Sequence, residues 1–388
     1  MAIILFDNNH RDRLSPLSLN KAIADFRFGI LTIRERWEWL LQDTVFVHTA
    51  GYLQGLYPAV PEPDVHTWVD AAVIPTTHLV EAIRQLKPGQ ALVAGDGLVA
   101  GKSTGAFTAF NPAEAASFFA EILSSDGGSR IEYPWELMQL NESMIREDFK
   151  LVTNGRTSQP IPPSVQVVQR ENIFIEEGAK LECCILNAST GPIYIGKHAE
   201  IMEGTAVRGP FVLGNHSVLK MNSRVYGATT LGPYCMGGGE IKNSILMGYS
   251  NKAHDGYLGD SVVGEWCNFG AGSSNSNLKN SAGDIKVWVM GEGESVVVGQ
   301  KCGVIMGDYS RLAINSSVNT GSVIGLCCNV FGAGLLPRII TSFSWGTEGK
   351  KYNIEAAIND INNWKYMKGK KISDAEIHVL KHIFHSSL

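Results

Sequence analysis

Ile195, Ile201, Val207, Leu213, Leu219, Val225 and Leu231 follow one another at an unbroken step of six residues, and every one is aliphatic. A helix of 3.6 residues per turn cannot keep such a step on one face. A single long strand would have no use for the glycines that trail these positions in "IGKHAE" and "LGNHSV". A six-residue aliphatic step is the pattern of a parallel β-helix. Each hexad forms one flat side of a triangular coil, and stacked coils bury an apolar column that no coil could bury alone. The pattern falters near Gly237–Gly239, resumes in "YLGDSVVGEWCNFGAG" and returns in "VVVGQKCGVIMG", which predicts a loop leaving the coil at the break.

The text before this region has another character. "AIILF", "DTVFVHT" and "QALVAGDGLVAG" are strand-like, while "ILTIRERWEWLLQ" and "THLVEAIRQLK" carry apolar residues at helical spacing. "NPAEAASFFAEILSS" has a helix start, with Asn111 as N-cap and Pro112 in the first position. Strands alternating with helices predict a parallel α/β sheet over residues 1–152. "TNGRTSQPIPPSVQ" contains prolines that forbid a regular element, so 153–166 reads as a linker. The β-helix then occupies 167–338, and 339–388 form a helical tail. Its "SDAEIHVLKHIF" opens with a capping box, Ser373 with Glu376, and places Ile377, Leu380 and Phe384 on one face. The expectation is a cap over the last coil, whose strand edges would otherwise stand unpaired.

Composition excludes some functions. Among 388 residues, 33 Lys+Arg stand against 38 Asp+Glu, and no basic run is interleaved with aromatics, which argues against a nucleic-acid partner. No apolar run is long enough to cross a bilayer, and "MAIILFD" lacks a basic leader and meets an acid at Asp7, so the expectation is a cytoplasmic protein without a membrane partner. The seven cysteines fall after residue 182 with neither CxxC nor a Cys/His zinc spacing, which predicts buried free thiols.

The stretch from Asn251 to Asn277, "NKAHDGYLGDSVVGEWCNFGAGSSNSN", gathers a histidine, a tyrosine, glycines and asparagines. Taken alone, a histidine on a turn is more often structural than catalytic. Together these residues resemble the acetyltransferase signature K-A-x-H-x-x-Y-L-G-D, N-x-G-A-G and a following asparagine. That signature belongs to hexapeptide β-helix acetyltransferases, including the bifunctional glucosamine-1-phosphate N-acetyltransferase / N-acetylglucosamine-1-phosphate uridyltransferase family. Here "KAHDGYLGD" is one residue shorter between Ala and His, "NFGAG" is intact, and "GEIK" and Arg224 lie upstream. The resemblance covers roughly residues 165–340 and implies a left-handed coil, a homotrimer and acetyl-CoA as cosubstrate. It implies that His254 is the general base toward a sugar amine, a role suited to a group that accepts a proton near neutral pH. It implies that Glu240 orients the amine or the imidazole, and that Asn277 serves the tetrahedral intermediate. Tyr257 and Asn268 would contact the sugar, and Arg224 and Lys242 would hold its phosphate.

The opening "ILFDNNHRDRLSPLSLNKAIADFRFGI" resembles the start of sugar nucleotidyltransferases, a Rossmann-like α/β family, in Arg13-Leu14, "SPLS" and Lys21, without the glycines of the family's phosphate loop. If a nucleoside triphosphate binds there, Arg11 and Arg13 would replace the lost backbone cradle and Lys21 would reach the sugar phosphate. Asp96 in "VAGDGLVAG" is then the candidate Mg²⁺ ligand, its alternative being a plain turn residue. "YPWELMQLNESMI" resembles the junction of related two-domain nucleotidyltransferases. Three functions follow from the resemblance. The first is UDP-N-acetylglucosamine synthesis for the cell envelope, acetylating glucosamine-1-phosphate and then transferring UMP from UTP. The second is a nucleotidyltransferase for another sugar-1-phosphate on a scaffolding coil. The third is an acetyltransferase carrying a non-catalytic N-terminal module.

Overall fold

The computed structural model describes residues 2–61, 65–95, 97–104, 110–125 and 128–386. The N-terminal part builds on β1 (Ala2–Phe6), α1 (Ile33–Leu41), β2 (Val45–His48), β3 (Val65–Asp70), α2 (Thr77–Gln85), β4 (Gln90–Ala94), β5 (Gly97–Thr104), β6 (Glu121–Ser124) and α3 (Pro134–Thr153). β1 is buried along its whole length and lies between β2 and β3, parallel to both. α1 starts where the sequence allows it, on a capping box in which the Thr32 hydroxyl accepts from the Glu35 amide and the Glu35 carboxylate accepts from the Thr32 amide.

Two local expectations fail. The sheet, of order β2-β1-β3-β5-β4-β6, is mixed rather than parallel. The chain reverses after β4 at Gly95, whose φ of 62° suits glycine, and β5 returns antiparallel to both β4 and β3. "NPAEAASFFAEILSS" is not a regular helix. A 3₁₀ segment spans Pro112–Phe118, with Glu114 in a non-helical conformation, and Glu121–Ser124 then pairs with β4 as a parallel edge strand. Ladder bonds offered by β4 outweigh the helical spacing of the segment.

The six-residue step does build a left-handed parallel β-helix. Its first face holds nine strands from Ile173–Ile175 to Ile339–Ile340. The second holds eight, from Lys180–Leu181 to Asn329–Val330, and the third six, from Gln166–Val168 to Tyr257–Gly259. Leu213 pairs with Ile195 on one side and Leu231 on the other, so one coil is three hexads. Ile195, Ile201, Leu213, Leu219 and Leu231 are 0% exposed in the resulting column. The break near Gly237–Gly239 is not a loop leaving the coil. It is a shortened corner, with only Gly238 and Gly239 between the strands Met236–Gly237 and Glu240–Lys242. A Cβ on Gly238 would stand 2.2 Å from the Ala253 carbonyl oxygen, so the next turn of the coil sits directly on that corner. The excursion comes later, after Asn277, as an antiparallel hairpin of Ile285–Val289 and Glu294–Gly299.

The two parts share one interior. Val287 and Val289 of the hairpin and Ile245, Met247 and Val262 of the first face pack in one cluster with Leu137 and Met138 of α3. Asn141 of α3 donates to the Ala228 carbonyl (2.8 Å) and accepts from the Gly29 amide (2.6 Å). Asp148, 1% exposed, accepts from the Ile30 and Leu31 amides and takes two bonds of 2.8 Å from the Arg36 guanidinium. Gly29 lies against it with φ 75°, where a Cβ would be 2.5 Å from a carboxylate oxygen.

The tail departs from the expected end cap. Helices α4 (Ile354–Tyr366) and α5 (Asp374–Ser386) lie along a corner of the coil, where Trp266, Tyr309 and Phe343 pack with Ile361, Leu380 and with Leu53 of the N-terminal part. Burial of that seam outweighs covering a coil edge, which Trp345 already pairs by a bridge to Asn329. The Ser373–Glu376 capping box is present as expected. Among the described residues no helix is long and apolar enough to cross a membrane. The cysteines are free thiols and all but Cys183 are buried, burial pushing Cys184 and Cys328 up to about 11.

Removing one partner of a buried ion pair strands the other. Asp148→Ala should lose about 3–5 kcal/mol of stability, read as a lower denaturant midpoint, and pairing it with Arg36→Met should recover part of the loss.

Candidate active site

On the third face, strands alternate inward and outward, so Val225, Ile241 and Leu258 fill the column while their neighbours face out. Arg224 therefore stands beside Glu240, and Glu240 beside Tyr257, on three consecutive strands. The Tyr226 hydroxyl donates to Glu240 at 2.6 Å, and the Arg224 Nε lies 3.7 Å from the same carboxylate. Lys242 follows two residues after Glu240 on the same outward side. Asn277 Nδ2 donates to the Tyr257 hydroxyl at 3.1 Å and also to the buried Asp260 carboxylate, which Asn243 holds at 2.7 Å. Burial, with Asp260 next in weight, raises the Tyr257 phenol well above its usual range, so that hydroxyl keeps its proton and remains a donor.

His254 sits on the corner that leads into the Tyr257 strand, with its side chain exposed. The corner itself is held from inside. Lys252, 1% exposed, places its Nζ 2.5 Å from the His254 carbonyl oxygen. The structure thus brings Arg224, Glu240, Lys242, Tyr257 and Asn277 onto one face, with His254 at its edge. It does not bring Asn268 there. Asn268 lies on the second face, between Asn251 and Arg311. Sequence reasoning missed Tyr226, Asp260 and Lys252. Tyr226 was within reach, since a residue two positions beyond Arg224 shares its side of a strand. Lys252 and Asp260 stood in the quoted motif, but nothing in the spacing marks them as buried.

In the N-terminal part, Arg11 and Arg13, expected at a triphosphate, and Lys21, expected at the sugar phosphate, are engaged elsewhere. Arg11 pairs with the buried Asp7 at 3.1 Å and bonds the Ser18 carbonyl, tying the loop after β1 to itself. Asp7 also accepts from the Ile23 amide and the Thr49 hydroxyl. Arg13 pairs with Glu292 at the hairpin tip (2.5 Å) and lies 3.6 Å from Glu132. Lys21, 7% exposed, spans to the coil, 2.8 Å from Asp308 and 3.4 Å from Glu265. Burial alone would lower its pKa, but Asp308 and then Glu265 carry it above the usual lysine range. These cations are spent on protein carboxylates because the glycine-free loop folds against the coil and the hairpin.

Asp96 lies outside the described residues. At the carboxyl ends of β1 and β3 there is a cavity of about 260 Å³ lined by Asn8, His10, Asp70 and Arg130. This is where an open α/β sheet takes its ligands. Its carboxylate is committed, however. Asp70 takes two bonds from Asn8 and lies 3.1 Å from Arg130. Among the described residues no group of three or more His, Cys, Asp or Glu is placed to hold a metal. A carboxylate already paired with a guanidinium does not suit Mg²⁺, which wants free hard oxygens.

Residues 3–157 match the sugar nucleotidyl transferase family model. Over 103 residues the chain is 36% identical to "Bifunctional protein GlmU" of Methanocaldococcus jannaschii, an overlap of 26% of this chain and 25% of that protein. Over 100 residues it is 34% identical to the "Bifunctional sugar-1-phosphate nucleotidylyltransferase/acetyltransferase" of Sulfurisphaera tokodaii, 26% of this chain and 24% of that one. The chain spans about a quarter of the length of these curated relatives. A hexapeptide transferase family protein from Anaplasma phagocytophilum aligns over 57% of this chain and 87% of its own at 16% identity, with a TM-score of 0.23.

Lys21→Met should loosen the N-terminal part from the coil. Burial already raises the Glu265 pKa, and Lys21 is the largest influence lowering it. Without Lys21 that pKa climbs further, so the folded form holds a proton the unfolded chain releases, and stability falls as pH rises through it. The variant should lose more thermal stability relative to the parent at pH 8 than at pH 5, by calorimetry at both values.

Proposed function

We propose that this chain transfers the acetyl group of acetyl-CoA to the amino group of an amino-sugar-1-phosphate, with glucosamine-1-phosphate as the substrate of choice. The observation that carries the reading is the convergence of Arg224, Glu240, Lys242, Tyr257 and Asn277 on one face, with His254 at its corner. Arg224 and Lys242 supply the positive charge for a sugar phosphate, the former as a fork and the latter as a point charge. His254 takes a proton from the amine as its nitrogen bonds to the thioester carbonyl carbon, and returns it to the sulfur as the C–S bond breaks. The protonated Tyr257 hydroxyl is the donor available to the developing oxyanion, and the Asn277 amide, whose two N–H groups go to that hydroxyl and to Asp260, orients it.

Asn268 stands on a different face, so a full set of these side chains requires a second copy to bring its own Asn268 to the site. That supports a homotrimer built through the coils, with sites between subunits. Acetyl-CoA and a sugar-1-phosphate as substrates support a cytoplasmic setting for this reaction.

The product, an N-acetylated sugar-1-phosphate, is what uridylyl transfer from UTP would consume to give UDP-N-acetylglucosamine. The family match of residues 3–157 supports that second activity. One observation favours the other reading, an N-terminal part without catalysis: Arg11, Arg13 and Lys21 are all paired with carboxylates of the protein. Incubation with acetyl-CoA, UTP, Mg²⁺ and a panel of sugar-1-phosphates separates the two. Free CoA without pyrophosphate supports acetyl transfer alone, both together support the bifunctional enzyme, and pyrophosphate without CoA overturns the acetyltransferase.

His254→Ala should fold and lose acetyl transfer by roughly a hundredfold to ten-thousandfold, measured as CoA release. Light scattering at micromolar concentration should give three times the 42.2 kDa of one chain, and a monomeric mass would count against a site shared between copies.

A further inference from the structure

The inward position of the second face runs Leu219, Gly237, Lys252, Phe269, Leu312 through successive coils. A lysine in that ladder is anomalous. It is 1% exposed, and among the described residues no carboxylate comes within ion-pairing distance of it. Its Nζ faces backbone oxygens instead, at 2.5 Å from His254, 3.2 Å from Asp255 and 3.4 Å from Gly238. An ammonium has three donors, and here each has one carbonyl. A buried charge with no counter-ion is costly, and a methionine would fill the same column without that cost.

All three carbonyls belong to the corner that carries the candidate base or to the shortened corner beneath it. We propose that Lys252 is a positioning residue for His254, its ammonium pinning the carbonyls of residues 254 and 255 to that of Gly238 and so fixing the corner from which the imidazole projects. The proposal rests on the reading of His254 as the base. The shortened motif explains the need. With one residue fewer between Ala253 and the histidine than the acetyltransferase signature, and two residues at the corner below where the preceding coil has four, no backbone amide among the described residues bonds these oxygens.

The clamp depends on charge. Burial lowers Lys252 to about 8, and Asp255 is the one charged group that pulls it back up. The strands stacked on either side, Met236–Gly237 and Asn268–Phe269, and the facing inward side chains Ile241 and Leu258 carry no ionisable group. Below that pH the ammonium offers three N–H groups. Above it a neutral amine offers two and turns a lone pair toward carbonyl oxygens, so the corner loosens.

The test is the pH profile of kcat and KM for CoA release from acetyl-CoA and glucosamine-1-phosphate, on the full chain between pH 6 and 9.5. The parent should lose kcat above about pH 8. Lys252→Met should lower kcat at pH 7 by roughly a hundredfold, the scale of a misplaced catalytic group, leave KM for the sugar phosphate unchanged and abolish the alkaline limb. Asp255→Asn should keep its activity at pH 7 and move that limb to lower pH, because the charge favouring the ammonium is gone. A trimeric Lys252→Met variant with parental kcat across the range would overturn the proposal. Should that variant fail to fold, an unmoved alkaline limb in Asp255→Asn does so alone. His254→Ala separates the two ideas. If it is inactive while Lys252→Met is fully active, the acetyltransferase reading stands and the clamp falls. If His254→Ala itself acetylates at the parental rate, both fall.

Discussion

Each turn of the coil hydrogen-bonds the turn beneath it, residue over equivalent residue, and that stacking constrains everything else in the molecule. Val207 pairs with Val225 and Ile201 with Leu219, so a side chain's direction is inherited from the coil below. Corners inherit their geometry as well. His198, His216, Tyr234, Tyr249 and Trp266 share a positive φ and stack face on face at 4.2–5.1 Å. The far end of this ladder is where the tail docks. Lys365 lies over Trp266 and Tyr309, and Lys368 over Tyr249 while bonding the Tyr234 carbonyl. A ring ladder offers a row of π faces and edges to cations on long apolar stems.

Because the ladder is strict, its irregularities are informative. Three cluster within one stretch of the chain: the two-residue corner at Gly238–Gly239, the inward Lys252, and the exit of the chain after Asn277. All three adjoin the face that carries Arg224, Glu240 and Tyr257. A regular coil presents the same surface at every level. A site requires one level to differ, and here that level differs in corner length, in the charge of its core and in connectivity.

The same constraint joins the two parts of the chain. The first face cannot be open to water, since Tyr194, Val212 and Ala228 point away from the column and are buried against Ile30, Leu31 and Ile145. α3 meets it with side chains that satisfy backbone groups on both sides, Asn141 reaching Gly29 and Ala228 at once. Lys21 with Asp308 and Arg13 with Glu292 complete the joint. The Lys21–Asp308 pair is buried, and such a pair acts through what breaking it costs more than through net stabilisation. Their chemical consequence is larger. A triphosphate would have to displace carboxylates that the fold itself supplies.

Periodicity was enough to reveal the coil, because an inward residue every sixth position is a local property of the chain, and Ile195 through Leu231 all lie where that step puts them. It was enough for α1, whose capping box sits within Thr32–Glu35, and for the alternation that sets Arg224, Glu240 and Tyr257 outward. Pairing partners are not local. The antiparallel course of β5, the strand in "AEILSS" and the tail's position along a corner were decided by which surfaces were left to bury. The fate of Arg13 and Lys21 was decided in the same way, since Glu292 and Asp308 are hundreds of residues distant and no pattern near either cation reports them. Lys252 shows the limit most clearly. Its inward position follows from counting six from Leu246, but that a charge stays there follows from three carbonyl oxygens, and only the folded corner brings those together.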